Sequence, residues 1–376
     1  YAGFVSGWNY WFNYIIVCML ELTASTFFLD YWFKNTSHWL TIAIIIAIFT
    51  VVNLISIKFF AEFEFWFTGI KVSTIIIFII LASYLVISHS IHNDPIININ
   101  NLWNHHGANN SGFFTGGATG FLFSFVIVIF SFGGTELIGV AAAETKNHKQ
   151  NIPRAINGII FRIVIFYIST LTLVICLYPW NLLSSNISPF VDVFQKIGMS
   201  NAASIINFVA LSAALSSFNS GIYGTARILC NLSIQNNAPK VFNKKNPANI
   251  PYTALIFSVI IILFTVLLNY LYPKQIFGIL LAIATISAII NWIIILITHI
   301  KFKKIIKTQG IKSDYKTILY PYSSLIAIIF FISIIIIMCF MKDMQLAVII
   351  APIWLLILTI AYRVNSKTKN ILNKVD

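Results

Sequence analysis

The sequence predicts an all-α polytopic membrane protein with about ten transmembrane helices. Three observations predict it. Of 376 residues, 59% are hydrophobic and 9% charged, with a mean hydropathy of +0.87, where a soluble domain carries roughly 25% charged residues. Apolar stretches recur along the whole chain, each matching the roughly 20 residues that a helix needs to cross a hydrocarbon core of about 30 Å. Cations gather in alternate connections between these stretches, as expected when loops are sorted to the two sides of a bilayer. A β-barrel would instead show short segments of alternating polarity.

The expected spans are 8–29, 39–57, 65–87, 118–143, 156–178, 202–230, 253–272, 276–300, 321–341 and 345–362, with ends good to about 2–4 residues. The fourth-to-fifth connection holds Lys146, Lys149 and Arg154, and the sixth-to-seventh holds Lys240, Lys244 and Lys245. The eighth-to-ninth holds Lys301, Lys303, Lys304, Lys307, Lys312 and Lys316, and the tail adds Arg363, Lys367, Lys369 and Lys374. The intervening connections hold only Lys34, Lys196, Lys274 and Lys342, and the longest, 88–117, has no Lys or Arg. By the positive-inside rule, residue 1 and the C-terminus are both expected in the cytoplasm, which fits an even number of spans. The net charge of +13 therefore reports topology, and a nucleic-acid partner is not expected.

The four cysteines, Cys18, Cys176, Cys230 and Cys339, lie in apolar stretches without CxxC spacing. They suggest packing rather than a disulfide framework or a zinc site. The histidines fall in loops or at span ends, and the His105-His106 pair lacks further ligands, so no metal centre is expected. The outer segment 88–117, rich in Asn, Gly and His, reads as irregular surface chain. The chain begins at Tyr1 beside a hydrophobic span and is expected to be truncated at its N-terminus. Nothing in the sequence fixes an oligomeric state.

Ionisable groups inside spans carry the most information, because one at mid-bilayer costs at least about 2.5–3.5 kcal/mol on insertion scales. Glu21 lies in the first span, Lys71 in the third and Glu136 in the fourth, with Arg162 and Arg227 near cytoplasmic ends. The arginines can snorkel to the interface. Lys71 admits two readings: it snorkels, or it is partly desolvated and changes protonation as a proton-coupling group. In the fourth span, Phe130-Ser131-Phe132-Gly133-Gly134-Thr135-Glu136 interrupts an apolar run. Paired glycines weaken a helix by about 1 kcal/mol each relative to alanine, so a break is expected here. A break frees backbone polar groups at membrane depth, tolerable where they line a cavity or bind a polar ligand. The alternative is that the glycines admit a neighbouring helix. The sixth span gathers Ser212, Ser216, Ser217, Asn219, Ser220, Gly221 and Gly224, suited to close packing, with some hydroxyls available to a pathway.

These motifs together resemble the bacterial amino acid permeases of the amino acid, polyamine and organocation superfamily, and within it the aromatic amino acid permeases. The likeness runs through Gly7-Trp8-Asn9-Tyr10-Trp11, Glu21-Leu22-Thr23-Ala24, Glu64-Phe65-Trp66-Phe67, Ile70-Lys71-Val72 and Phe130 to Leu137. It continues through Ala143-Glu144-Thr145, Ile152-Pro153-Arg154-Ala155, Ser188-Pro189-Phe190, Ala213-Ala214-Leu215-Ser216, Asn219-Ser220 and Asn237-Ala238-Pro239-Lys240. The resemblance implies a leucine-transporter-like inverted-repeat fold of five plus five helices followed by two, with this chain supplying family helices three to twelve. Residues 1–87 would then be the remainder of the first repeat, 118–300 the second, 321–362 the last two helices and 363–376 a cytoplasmic tail, all within one permease domain.

Carried over by motif, the resemblance makes Ser131, Phe132, Gly133, Gly134 and Thr135 substrate contacts. Glu136 becomes a substrate or proton group, and Lys71 stands where sodium-coupled relatives bind sodium. Glu21, Ser216, Ser217 and Asn219 would face or brace the pathway, with Ile283 to Ser287 near the central cavity. Ala143 departs from the glycine frequent before that glutamate. The implied function is proton-coupled import of an aromatic or neutral amino acid across a bacterial cytoplasmic membrane by alternating access, with the proton as coupling ion, no other cofactor and no covalent chemistry. A permease for lysine or another basic or small neutral amino acid is the alternative within the class. A non-transporting amino acid sensor or a degraded permease is the alternative outside it.

Overall fold

The computed structural model describes residues 1–34, 36–55, 57–91, 96–103, 114–136, 138, 147–183, 188–310, 317 and 319–372. In chain order the α-helices are α1 (Ala2–Leu29), α2 (His38–Ile55), α3 (Ile57–Ile91), α4 (Gly117–Ser131), α5 (His148–Arg162), α6 (Ser169–Leu177) and α7 (Pro189–Lys196). There follow α8 (Ser200–Ile234), α9 (Tyr252–Ile262), α10 (Phe264–Leu271), α11 (Ile276–Thr308), α12 (Tyr322–Phe340) and α13 (Gln345–Leu372). A π-helical turn, Ile163–Ile168, joins α5 to α6, and α9 meets α10 at Leu263. Among the described residues nine helical segments are long and apolar enough to cross a membrane, and α4, at 15 residues, is a shorter apolar tenth. Several helices overrun their expected spans, most of all α3, with 35 residues, and α13, with 28. A helix satisfies its own backbone, so it can continue past the hydrocarbon core into polar sequence.

The centre of the bundle is α1 packed lengthwise against α8 and α11. In the most apolar stretch of each of these three helices, half or more of the residues are buried, against 17% in α3 and α12. The outer helices therefore spend their isoleucines and phenylalanines on the lipid side. Small residues let the central helices approach: a Cβ on Gly221 of α8 would overlap Cys18 Sγ of α1, and one on Gly7 would meet Leu232. Gly221→Ala is accordingly expected to destabilise the protein by about 1–3 kcal/mol through overpacking. A fluorescence melt in detergent should show the loss, and adding Cys18→Ala should recover most of it.

Amides lock these contacts, since an unpaired polar group in hydrocarbon is costly. Asn9 Nδ2 donates to Ser287 O and Asn291 Oδ1, both at 3.0 Å, and Asn13 Nδ2 donates to Ala284 O at 2.8 Å. Asn269 Nδ2 reaches Thr23 Oγ1 at 3.0 Å, tying α10 to α1. Ala284 and Ser287 are thus fastened to α1 by their backbone carbonyls, and the Ile283 to Ser287 segment is buried packing. A second core gathers the far end of α3 with α6 and α7 around Phe78, Leu177 and Phe194. Cys339 departs from the packing role expected for the cysteines: it is exposed on α12, while Cys18, Cys176 and Cys230 are buried.

Candidate functional site

The expected break in the fourth span is present. α4 stops at Ser131, and three successive tight turns follow: Phe132 N donates to Ile129 O at 3.1 Å, Gly133 N to Phe130 O at 3.0 Å and Thr135 N to Phe132 O at 3.4 Å. Gly134 sits at φ +90°, in the left-handed region that a side chain would strain. A Cβ on Gly133 would press on Phe130 O at 3.1 Å, a carbonyl of its own turn, and among the described residues no neighbouring helix is a near contact of it. Both glycines suit the turn. The end of α4 presents the negative pole of its dipole at this point. Ala143, Glu144 and Thr145, like His105 and His106, lie outside the described residues.

Glu136 closes the turn between two other helices. Its Oε1 accepts from the Tyr10 hydroxyl of α1 at 3.4 Å, and its Oε2 from Trp292 Nε1 of α11 at 3.2 Å. The Tyr10 and Tyr14 hydroxyls lie 3.4 Å apart, with the two rings edge to face at 4.9 Å. Both donors to the carboxylate are neutral. Beside it the Phe132 ring lies nearly parallel to Tyr167, 8° apart with centroids at 6.3 Å, and the Tyr167 hydroxyl donates to Ser131 O at 3.3 Å. Ser131 turns its own hydroxyl back to Val128 O at 2.6 Å. Ser131, Gly133 and Thr135 are exposed, and Phe132, Gly134 and Glu136 half-buried.

A second polar cluster joins α1, α3 and α8. Lys71 Nζ donates to Ser216 Oγ at 2.9 Å, and Ser216 Oγ donates in turn to Glu64 Oε2 at 2.7 Å. Ser220 adds a second hydroxyl to that same carboxylate oxygen at 3.1 Å. From α1, Glu21 Oε1 accepts from Ser217 Oγ at 2.9 Å, and its charge attracts Lys71. Helical periodicity explains the convergence. Glu64 and Lys71 stand two turns apart on one face of α3, and Ser216 and Ser220 one turn apart on α8. Asn219 points elsewhere: it is buried and accepts from Asn53 of α2 at 2.7 Å, so it pins α2 to α8.

The structure therefore gathers Lys71, Ser216 and Glu21 in one cluster and gives Glu136 a separate setting. One face of α1 runs past both. Tyr10, Tyr14 and Glu21 fall within a narrow arc at helical spacing, and Tyr10 and Glu21 are about 16 Å apart along the axis. Sequence reasoning missed Tyr10, Trp292 and Glu64 as site residues. The seven-residue spacing of Glu64 to Lys71 was a usable signal. Nothing local in the sequence marks Trp292, because its partner lies far away along the chain.

Ionisable groups that converge inside a bundle of membrane-length helices, beside the glycine turn that ends α4, fit the general pattern of membrane transport proteins. Within that class, the chain belongs to the amino acid permease family, whose model, described as "Amino acid permease", matches residues 1–373. It is similar to the aromatic amino acid transport protein AroP of Escherichia coli strain K12, with 37% identity over 368 residues, or 98% of this chain and 79% of the relative. AroP of Salmonella typhimurium strain SL1344 is 38% identical over the same shares. The uncharacterized amino acid permease YtnA of Bacillus subtilis strain 168 is 40% identical over 362 residues, covering 96% of this chain and 77% of the relative.

Proposed function

We propose that the protein imports an aromatic or other neutral amino acid together with protons, by alternating access of its helical bundle in a bacterial cytoplasmic membrane. The observation that carries this reading is Glu136, presented at the break after α4 between Tyr10 of α1 and Trp292 of α11. A carboxylate held by two neutral donors beside the negative end of a helix suits the ammonium of an amino acid. The aromatic surroundings, Tyr10, Tyr14, Phe132, Tyr167 and Trp292, suit a flat apolar side chain. The likeness to proteins named for aromatic amino acid transport supports the same choice. For coupling, Lys71 has two carboxylates within its field, Glu64 and Glu21, in a bundle where a change of protonation alters how α1, α3 and α8 attract one another.

Uptake of labelled phenylalanine, tyrosine, tryptophan and lysine into vesicles carrying the protein, driven by an inward proton gradient, tests the proposal. Accumulation of the aromatic three is expected, and uptake of none would overturn it. Glu136 also favours a second reading, because a carboxylate without a cationic donor matches a basic side chain. Lysine that competes with phenylalanine at equal concentration would favour that reading.

The proposed orientation has its own test. With residue 1 and the C-terminus both cytoplasmic, a cysteine at Lys274 is expected to react with an impermeant maleimide in intact cells. One at Lys240 should react only after permeabilisation. Both side chains are exposed.

A further inference from the structure

Ser216 stands between an ammonium and a carboxylate, accepting from Lys71 at 2.9 Å and donating to Glu64 Oε2 at 2.7 Å. A hydroxyl in that position can receive a proton on its lone pair and release its own without leaving its place. We infer that Glu64 is a second proton-carrying residue of the coupling site, receiving through Ser216 the proton that Lys71 releases. The inference rests on the proton-coupled reading of the protein. In the step, an N–H bond of Lys71 breaks as an O–H bond forms on Ser216, while the original O–H bond of Ser216 breaks and a new one forms on Glu64 Oε2. The ammonium and carboxylate become an amine and a carboxylic acid, no charge is gained or lost overall, and the serine is regenerated.

Three features favour a relay over a static clamp. Ser216 is buried, so bulk water does not compete for its two hydrogen bonds. Removing two opposite charges together from a half-buried site relieves the desolvation that each charge suffers there. Lys71 Nζ and Glu64 Oε2 both bond Ser216 Oγ, so one hydroxyl spans the whole path of the proton. Ser220, donating to the same oxygen at 3.1 Å, stabilises the carboxylate before transfer. Among the described residues, Glu21 of α1 is the further charge that acts on Lys71; on α8, Arg227 stacks on the Tyr223 ring at 4.4 Å.

The test compares wild type, Glu64→Gln, Ser216→Ala and Ser216→Thr, each reconstituted in vesicles. Labelled phenylalanine is followed both as accumulation under an inward proton gradient and as exchange without one. Glu64→Gln and Ser216→Ala are expected to lose accumulation at least about tenfold more than they lose exchange. Ser216→Thr, which keeps a hydroxyl, should recover it. Wild-type accumulation in Glu64→Gln, or equal loss of accumulation and exchange in a monodisperse variant, would overturn the inference. If Glu64→Gln does not yield folded protein, the serine pair carries the test alone, and accumulation in Ser216→Ala equal to that in Ser216→Thr would overturn it. Failure of the underlying reading is distinguishable: there, wild type itself exchanges phenylalanine but does not accumulate it.

Discussion

Lys71→Ala is expected to abolish concentrative, proton-driven uptake while reducing exchange by no more than about tenfold. Exchange needs only a bundle that binds substrate and rocks. Accumulation also needs a group whose protonation makes one orientation more stable than the other. Lys71 is the cationic member of a cluster that spans three helices, bonded to Ser216 of α8 and attracted by Glu64 of its own helix and Glu21 of α1. Removing it leaves two carboxylates uncompensated, so some loss of stability is expected as well. Lys71→Arg separates the two effects. A guanidinium keeps the charge and the attraction but holds its proton at any working pH, so this variant is expected to fold and exchange yet still fail to accumulate. The check is paired measurement of accumulation and exchange in the same vesicles, with monodispersity on gel filtration as the control. Normal accumulation by Lys71→Arg would remove Lys71 from proton transfer.

Glu136→Gln is expected to weaken apparent substrate affinity by about ten- to a hundredfold. A hydrogen bond to a charged group contributes about 1.5–3 kcal/mol, and each 1.4 kcal/mol is about tenfold in affinity. The amide is nearly the same size as the carboxylate; its oxygen can accept from Trp292 Nε1 while its NH2 donates to the Tyr10 hydroxyl oxygen, so the break after α4 should survive. What it loses is the negative charge that attracts an ammonium. Equilibrium binding of phenylalanine, measured by scintillation proximity on purified protein, reads this directly. An unchanged dissociation constant would show that Glu136 acts elsewhere in the cycle.

Much of the fold was legible because membrane helices announce themselves by length and composition alone. Gly133 and Gly134 marked the break for a local reason: glycine weakens a helix wherever it stands. Lys71 and Glu136 were visible because charge is rare in these spans. The harder question was what each charge meets. Ser216 as the bridge between Lys71 and Glu64 depends on the rotation of α8 relative to α3, which local spacing does not encode. Asn219 shows the same limit from the other side: it lies on the right helix, but its amide closes the contact with Asn53. The Ile283 to Ser287 segment is fastened to α1 by Asn9 and Asn13, contacts that local spacing does not encode, and Ile283, Ile286 and Ser287 also line a small cavity with Asn9 and Trp354. Trp292 needed the third dimension altogether.

The central claim is that amino acid entry at the Glu136 site is coupled to proton entry through the Lys71 cluster. The most direct measurement is the internal pH of vesicles that carry the purified protein and an entrapped pH-sensitive dye, with equal pH on both sides and phenylalanine added outside. The account predicts acidification of the interior that begins with phenylalanine addition and saturates with its concentration. It also predicts that the acidification is absent in Lys71→Arg vesicles, although these still exchange label. Phenylalanine entry at the wild-type rate with no change in internal pH would contradict it.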